Sequence, residues 1–232
     1  ELAQMPEVRI IRRGVVFGYH DHNFLTIRES LTDHLPLAER KGFRERLWRV
    51  RASQVVLATG AHERPLVFGN NDLPGVMLSS ALADYAELYG VRVGRQIVLV
   101  TTNDSAYTDA RLLQAVGATV TVVDTRAGEP AAGSRAQLAQ KDGITVVRGF
   151  VPVLAKGAGA VSSLVLRQMV DDKASGEERE LACDAIGMAG GWNPAIHLYS
   201  HSGGKARWDD ELVCFKPGVE MPQQASVGAC NA

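Results

Sequence analysis

Cysteine is scarce in this sequence, and none of it is arranged for chemistry. Cys183, Cys214 and Cys230 are the three cysteines in 232 residues; they lie far apart and no C-x-x-C occurs. That argues against a disulfide-stapled scaffold and against a dithiol reductase, and it fits reduced thiols in a cytoplasmic protein. No apolar run is long enough to cross a bilayer, and no signal-peptide pattern opens the chain, so no membrane partner is expected. Charge of one sign is also missing: 25 Lys and Arg face 26 Asp and Glu, a formal net charge of −1. A basic field of the kind that attracts nucleic acid or an anionic membrane surface is therefore absent. Finally, no G-x-G-x-x-G stands ahead of residue 55, so the glycine fingerprint that seats a dinucleotide pyrophosphate does not precede the first turn of interest.

What is present is a chain with 46% hydrophobic residues, enough for a proper core in one large α/β domain or two small ones joined closely. Val55-Val56-Leu57 is a short apolar run that ends in Ala58-Thr59-Gly60. It reads as a buried parallel strand entering a turn of small residues, and small residues let a backbone pass close to a ligand. Ahead of it, Val8–Tyr19, Phe24–Ile27 and Leu47–Ala52 read as strands of a β-meander, with a polar loop over Asp33–Phe43. Pro65–Gly75 carries Pro, Gly, Asn and Asp and reads as a crossover loop. Ser79–Tyr89 is expected to be helical, with Leu78, Leu82, Tyr85, Ala86 and Tyr89 on one face and Gly90 as its stop.

Gln96–Thr102 is a second buried strand. A helix capped within Asn103–Ser105 runs to about Val116, Gly117 closes it, and Thr119–Val123 ends at Asp124. Strand, turn, helix, strand and acidic end is the Rossmann βαβ order. Yet Thr101-Thr102-Asn103-Asp104-Ser105-Ala106-Tyr107 contains no glycine. Side chains would fill the space that phosphates need, and Asp104 would repel them. This module is expected to keep the frame and to have lost ordinary NAD binding. Asp124 stands where a ribose-binding acid would stand, and is equally readable as a solvated strand end. Ser134–Gln140 reads as a helix, Ile144–Val147 as a parallel strand, and Phe150–Ala155 with Val161–Met169 as a hairpin on the same sheet. Asp171–Glu180 reads as a solvated hairpin tip. Leu181–Met188 returns as a strand into Gly190-Gly191-Trp192-Asn193-Pro194, followed by a short helix over Ile196–Ser200, an edge segment over Trp208–Phe215 and a last strand over Ala225–Gly228.

Four motifs in this order carry a family resemblance: Ala58–Phe68 (ATGAHERPLVF), Asn71–Met77 (NDLPGVM), Thr102–Tyr107 (TNDSAY) and Gly190–Pro194 (GGWNP). Together they resemble the α subunits of heterotetrameric sarcosine oxidases, from Val15–Tyr19 through to Ser226–Ala229. The resemblance implies an α/β fold of the FAD/NAD(P)-binding-domain type: a Rossmann-like parallel sheet with an inserted inner βαβ module and an antiparallel β-meander. The outer part is expected over 1–75 and 181–232, the inner Rossmann-like module over 76–180. The chain would be a piece of a larger oxidoreductase whose glycine-rich N-terminal unit grips NAD.

The family implies oxidation of sarcosine to glycine, with oxygen reduced to hydrogen peroxide and the one-carbon unit passed to tetrahydrofolate. It also implies FAD on a partner β subunit, FMN at the subunit interface, and β, γ and δ subunits as partners. No catalytic residue is expected in this chain, and by itself it should be inactive. Its exposed parallel-sheet edge is expected to pair with a second copy. Cofactor contacts are expected from Ala58, Thr59, Gly60, Arg64, Gly190, Gly191, Trp192 and Gly228. Arg64 is a fork donor suited to a phosphate or FMN, with a surface pair to Glu63 as the alternative; Trp192 offers a flat face to a ring or an interface. His197 and His201 share metal-site spacing but lack a third ligand, so no metal is expected. Rival readings are the large subunit of an opine or amino-acid dehydrogenase, a cyanide-synthase-like flavoprotein, and a non-catalytic scaffold.

Overall fold

The structure is a computed structural model that describes residues 2–219 and 221–232. The chain forms two compact units, one comprising Glu63–Trp192 and the other the segments on either side, up to His62 and from Asn193 onward.

The flanking unit begins with an antiparallel meander of β1 (Gly14–His20), β2 (Phe24–Ser30) and β3 (Glu45–Arg51), in that spatial order. The β-rich stretch expected from Val8 thus narrows to Gly14–His20. Next come β4 (Val55–Leu57) and β5 (Ala61–Glu63). Val55 and Leu57 point into a small core with Tyr19, Leu25 and Tyr199, whereas Val56 is 64% exposed, so β4 is a half-exposed strand rather than one buried on both faces.

The Glu63–Trp192 unit holds β6 (Val76–Leu78), α1 (Ser79–Tyr89), β7 (Gln96–Thr101), α2 (Ser105–Ala115), β8 (Thr119–Asp124), α3 (Arg135–Lys141) and β9 (Thr145–Arg148). β10 (Phe150–Lys156), β11 (Ser163–Val170), β12 (Lys173–Ala182) and β13 (Ala185–Ala189) follow. β13 slots between β6 and β7, giving a five-stranded parallel sheet in the order β6-β13-β7-β8-β9. Because β13 lies inside this sheet, residues 181–192 belong with the inner module, not with the outer part where the sequence placed them. The crossover loop is tied in as well: Gly69 exchanges backbone hydrogen bonds with Val153 and Ala155 of β10, at 2.8 and 2.9 Å.

Period-two alternation sorts the apolar residues of these strands onto two faces. Ile97, Leu99, Val120 and Val122 pack under the helices with Leu82, Tyr107 and Leu113. Val98, Val100, Val123 and Ile186 face the other way, against Phe150, Leu164 and Leu166 of a separate antiparallel sheet, β10-β11-β12. The expected hairpin therefore does not extend the parallel sheet but covers its second face. The turn after it is only Asp171-Asp172, both at positive φ (48° and 58°). Lys173–Ala182 is a full strand paired to β11, and its charges blunt an edge rather than mark a loop tip.

α1 turns Ser79, Leu82, Ala83 and Ala86 inward, while Tyr85 and Tyr89 are 44% and 71% exposed, contrary to the face read from spacing. The reason is close packing. At Gly187 of β13 an added Cβ would lie 2.2 Å from Leu99 Cδ2 and 2.9 Å from Leu82 Cδ1, so small residues bring helix and sheet together and the bulky tyrosines stay outside.

The chain leaves this unit through β14 (Trp192–Pro194) and adds α4 (His197–His201), the hairpin β15 (Ala206–Asp209) and β16 (Cys214–Pro217), and β17 (Gln224–Ser226) to the flanking unit. β17 pairs in parallel with β4, Gln224 opposite Val55 and Ser226 opposite Leu57. The edge segment expected at Trp208–Phe215 is thus a two-stranded hairpin. Among the described residues no helix is long and apolar enough to cross a membrane, and all three cysteines are free and buried.

Candidate functional site

In the flanking unit the Ala58-Thr59-Gly60 turn leaves the carboxyl end of β4, beside the carboxyl end of its parallel neighbour β17. Carboxyl ends of parallel strands are where α/β folds place their ligands. The turn is held from below. Thr59 Oγ1 donates to the Ala195 carbonyl at 2.7 Å, and Ala195 N–H donates to the Gly60 carbonyl at 2.9 Å. Val227 N–H donates to the Leu57 carbonyl at 2.9 Å, and the buried Cys230 thiol reaches the same oxygen at 3.1 Å. The upper side is open. Gly60 (φ +73°) and Gly228 (φ +68°) are left-handed, and a Cβ at either would meet no heavy atom within 4 Å. Two glycines therefore border free space at the ends of adjacent parallel strands, which suits a backbone approached by a ligand. His62 and His197 stack edge to face with centroids 6.0 Å apart, and among the described residues no group of three His, Cys, Asp or Glu is placed to hold a metal.

In the Glu63–Trp192 unit the glycines of the second turn serve chain packing. Arg64 N–H donates to the Gly191 carbonyl and Gly190 N–H to the Arg64 carbonyl, both at 2.8 Å. A Cβ on Gly190 would lie 2.8 Å from the Arg64 carbonyl oxygen and 3.1 Å from that of Pro65. The Arg64 guanidinium donates to the Trp192 carbonyl at 3.3 Å, and Trp192 Nε1 donates to Ser105 Oγ at 3.2 Å, leaving the indole 40% exposed.

Glu63 is not the surface partner of Arg64. It is buried, and its Oε2 accepts from Ser80 N–H (2.9 Å) and Ser80 Oγ (2.6 Å), capping the first turn of α1. Burial raises its pKa, the Ser80 bonds oppose that, and the charges of Asp109 and Asp84 add to it. Seventeen residues separate acid and cap, so no local motif announced this role.

The loop between β7 and α2 is filled by its own side chains. Asn103 Nδ2 donates to the Ala189 carbonyl at 3.1 Å, while Asn103 Oδ1 accepts from Ser105 N–H (2.9 Å) and Ser105 Oγ (2.6 Å). Thr101 Oγ1 donates to the Asn103 carbonyl at 2.7 Å. The Ser105 amide at the start of α2 is thus already bonded to an asparagine.

Asp124 is neither a waiting ribose partner nor a solvated end: its side chain is fully buried. It accepts from Tyr107 Oη (2.7 Å) and from Arg126 Nε (2.9 Å), Nη2 (2.8 Å) and N–H (3.0 Å), and pairs with Arg148 at 3.2 Å. Arg126 also pairs with Asp104 at 2.6 Å. Burial alone would push the Asp124 carboxyl up, but the Arg126 and Tyr107 hydrogen bonds outweigh it and hold it below the usual range. Burial and the Asp124 bond push Tyr107 well above its ordinary value. Sequence spacing does not announce Tyr107 or Arg148 as partners of Asp124; the arginine two residues after the strand-end acid is the visible signal.

No family model matches the chain. Its sequence is 42% identical over 99% of its length to sarcosine oxidase subunit alpha of Corynebacterium sp. strain P-1, and 40% identical over 99% to that of Rhizobium meliloti strain 1021. The chain spans about a quarter of these relatives, 24% and 22% of their lengths. Among solved structures it resembles Lactococcus lactis thioredoxin reductase (TM-score 0.62, 24% identity, 94% of this chain and 66% of that one). It also resembles L-proline dehydrogenase from P. horikoshii (TM-score 0.61, 18% identity, 94% and 36%). The chain shares the Rossmann-type α/β fold of these two oxidoreductases, and its sequence is related along 99% of its length to part of the sarcosine oxidase α subunit.

Proposed function

We propose that this relative of the sarcosine oxidase α subunit is a non-catalytic, nucleotide-contacting segment of an enzyme that oxidises sarcosine to glycine. Oxygen is the acceptor, hydrogen peroxide the co-product, and the one-carbon unit passes to tetrahydrofolate. Hydride and electron transfer belong to the flavins when bound, FAD on a partner subunit and FMN at a subunit interface. The chain's own residues orient and enclose. Ala58, Thr59, Gly60 and Gly228 would contact the adenosine or pyrophosphate of NAD, completing a pocket with other parts of the longer chain. The observation that carries this reading is the pair of left-handed glycines bordering free space at the carboxyl ends of β4 and β17. Arg64 and Trp192, with Gly190 and Gly191 setting their turn, support the FMN-bearing interface through the exposed part of the indole.

Asparagine tolerates the left-handed region, so Gly60→Asn and Gly228→Asn keep the turns while filling the free space. In a subunit of the relatives' full length, each is expected to weaken NAD binding at least tenfold by calorimetry with an unchanged thermal midpoint. Unchanged affinity would remove these turns from the pocket. A scaffold that binds no nucleotide is the second reading, favoured by the self-filled loop at Asn103–Ser105; NAD binding that the glycine variants weaken speaks against it.

A further inference from the structure

We infer that the β15–β16 hairpin is the anchor by which this chain docks a second polypeptide of its assembly, into an apolar pocket rimmed by Arg or Lys. This rests on the proposed reading that the chain works within a multi-subunit oxidase. The hairpin is two-faced. On one face Cys214 is 4% exposed and Lys216 is paired with Asp209 at 2.6 Å. On the other, Trp208 and Phe215 stand directly opposite each other, edge to face at 5.1 Å, yet remain 48% and 55% exposed. A cross-strand aromatic pair of this kind gathers a large apolar area on one face of the hairpin. The tip adds Leu212 and Val213, 49% and 53% exposed. Val213 has φ +51°, a conformation a β-branched residue adopts only under strain, and strain of this sort collects at functional sites.

The indole is preorganised, because Trp208 Nε1 donates to Asp210 Oδ1 at 2.9 Å and so one ring orientation is fixed before any partner arrives. Exposed tryptophan in a fixed pose is the residue type that dominates interface energetics. Charge sets the partner's rim. Among the described residues Lys216 pairs with Asp209 and no ion pair joins Asp210 or Glu211 to a cation, so the tip carries two acidic side chains outside any ion pair beside its apolar surface. A surface edged by Arg or Lys complements that pattern; an acidic one is repelled.

The test places a photoreactive benzoyl-phenylalanine at Trp208 or Phe215 in the full-length subunit, co-expressed with its partner subunits. The expected adduct is on a partner subunit, in a peptide bearing Arg or Lys beside apolar residues. Adducts only within the same chain, or only to a second copy of it, overturn the inference. In parallel, Trp208→Ala and Asp210→Lys/Glu211→Lys are compared for assembly by mass photometry. Each is expected to raise the subunit dissociation constant at least tenfold, the charge reversal mainly at low salt, with the circular dichroism of the subunit unchanged. Unchanged assembly of both variants overturns the hairpin assignment. Failure of the unaltered subunit to assemble at all would instead overturn the reading it rests on.

Discussion

Asp124→Ala is expected to lower the unfolding free energy by about 3–5 kcal/mol, the range for breaking a buried charge network from one side. The carboxylate is fully buried and holds three other side chains at once. Removing it leaves Arg148, whose side chain is only 16% exposed, and the Tyr107 hydroxyl facing each other without their acceptor. The pH dependence follows. Asp124 is held below its ordinary pKa, so its contribution is complete above the unfolded value of about 3.9 and is lost as pH falls through the lower folded one. Tyr107 is raised instead, so its contribution is complete below about pH 10 and fades above it. Urea unfolding with an unchanged m-value checks the first number. A loss under about 1 kcal/mol would show that Arg148 and Tyr107 are not left stranded when the carboxylate is removed.

Tyr199→Ala should cost a similar amount, about 3–5 kcal/mol for removing a large buried ring, and should unfold the flanking unit first. Tyr199 is 2% exposed and is the hub of its loops: its hydroxyl donates to the Val219 carbonyl at 2.7 Å and accepts from Gly218 N–H at 3.1 Å. Gly204 lies flat on the ring, where a Cβ would come within 2.5–2.6 Å of three ring atoms. Tyr199→Phe keeps the ring and loses only the hydroxyl's bonds, so a loss of about 1 kcal/mol is expected. The pair separates packing from hydrogen bonding. Hydrogen exchange should then show the amides of β1, β4 and β17 losing protection in Tyr199→Ala while those of β7 and β8 keep it. Equal loss in both sets would mean that the two units unfold together.

The central βαβ unit was legible in the sequence because buried parallel strands read as unbroken apolar runs, and because Gly90 and Gly117 mark helix ends. β13 was legible as a strand but not as an insertion between β6 and β7, since nothing local reports which strand a segment joins. β12 was misread for a related reason: on an edge strand both faces carry charge, and Lys173–Glu180 then looks like a loop. Of the site, the glycine-free loop predicted side chains packed into the turn, and Asn103 and Ser105 bond each other there. The lock on Asp124 and the cap by Glu63 join residues 17 to 24 positions apart, with one partner two away, and side-chain geometry of that kind leaves no period in a sequence.

On the proposed reading, NAD is held by this chain only together with other parts of a longer subunit. Calorimetric titration of NAD into the 232-residue chain, beside the same segment within a subunit of the relatives' full length, tests that most directly. The prediction is binding by the longer chain and none by the shorter. Tight binding of NAD by the 232-residue chain alone would contradict it, because the filled Asn103–Ser105 loop or the open Gly60 and Gly228 turns would then form a complete site.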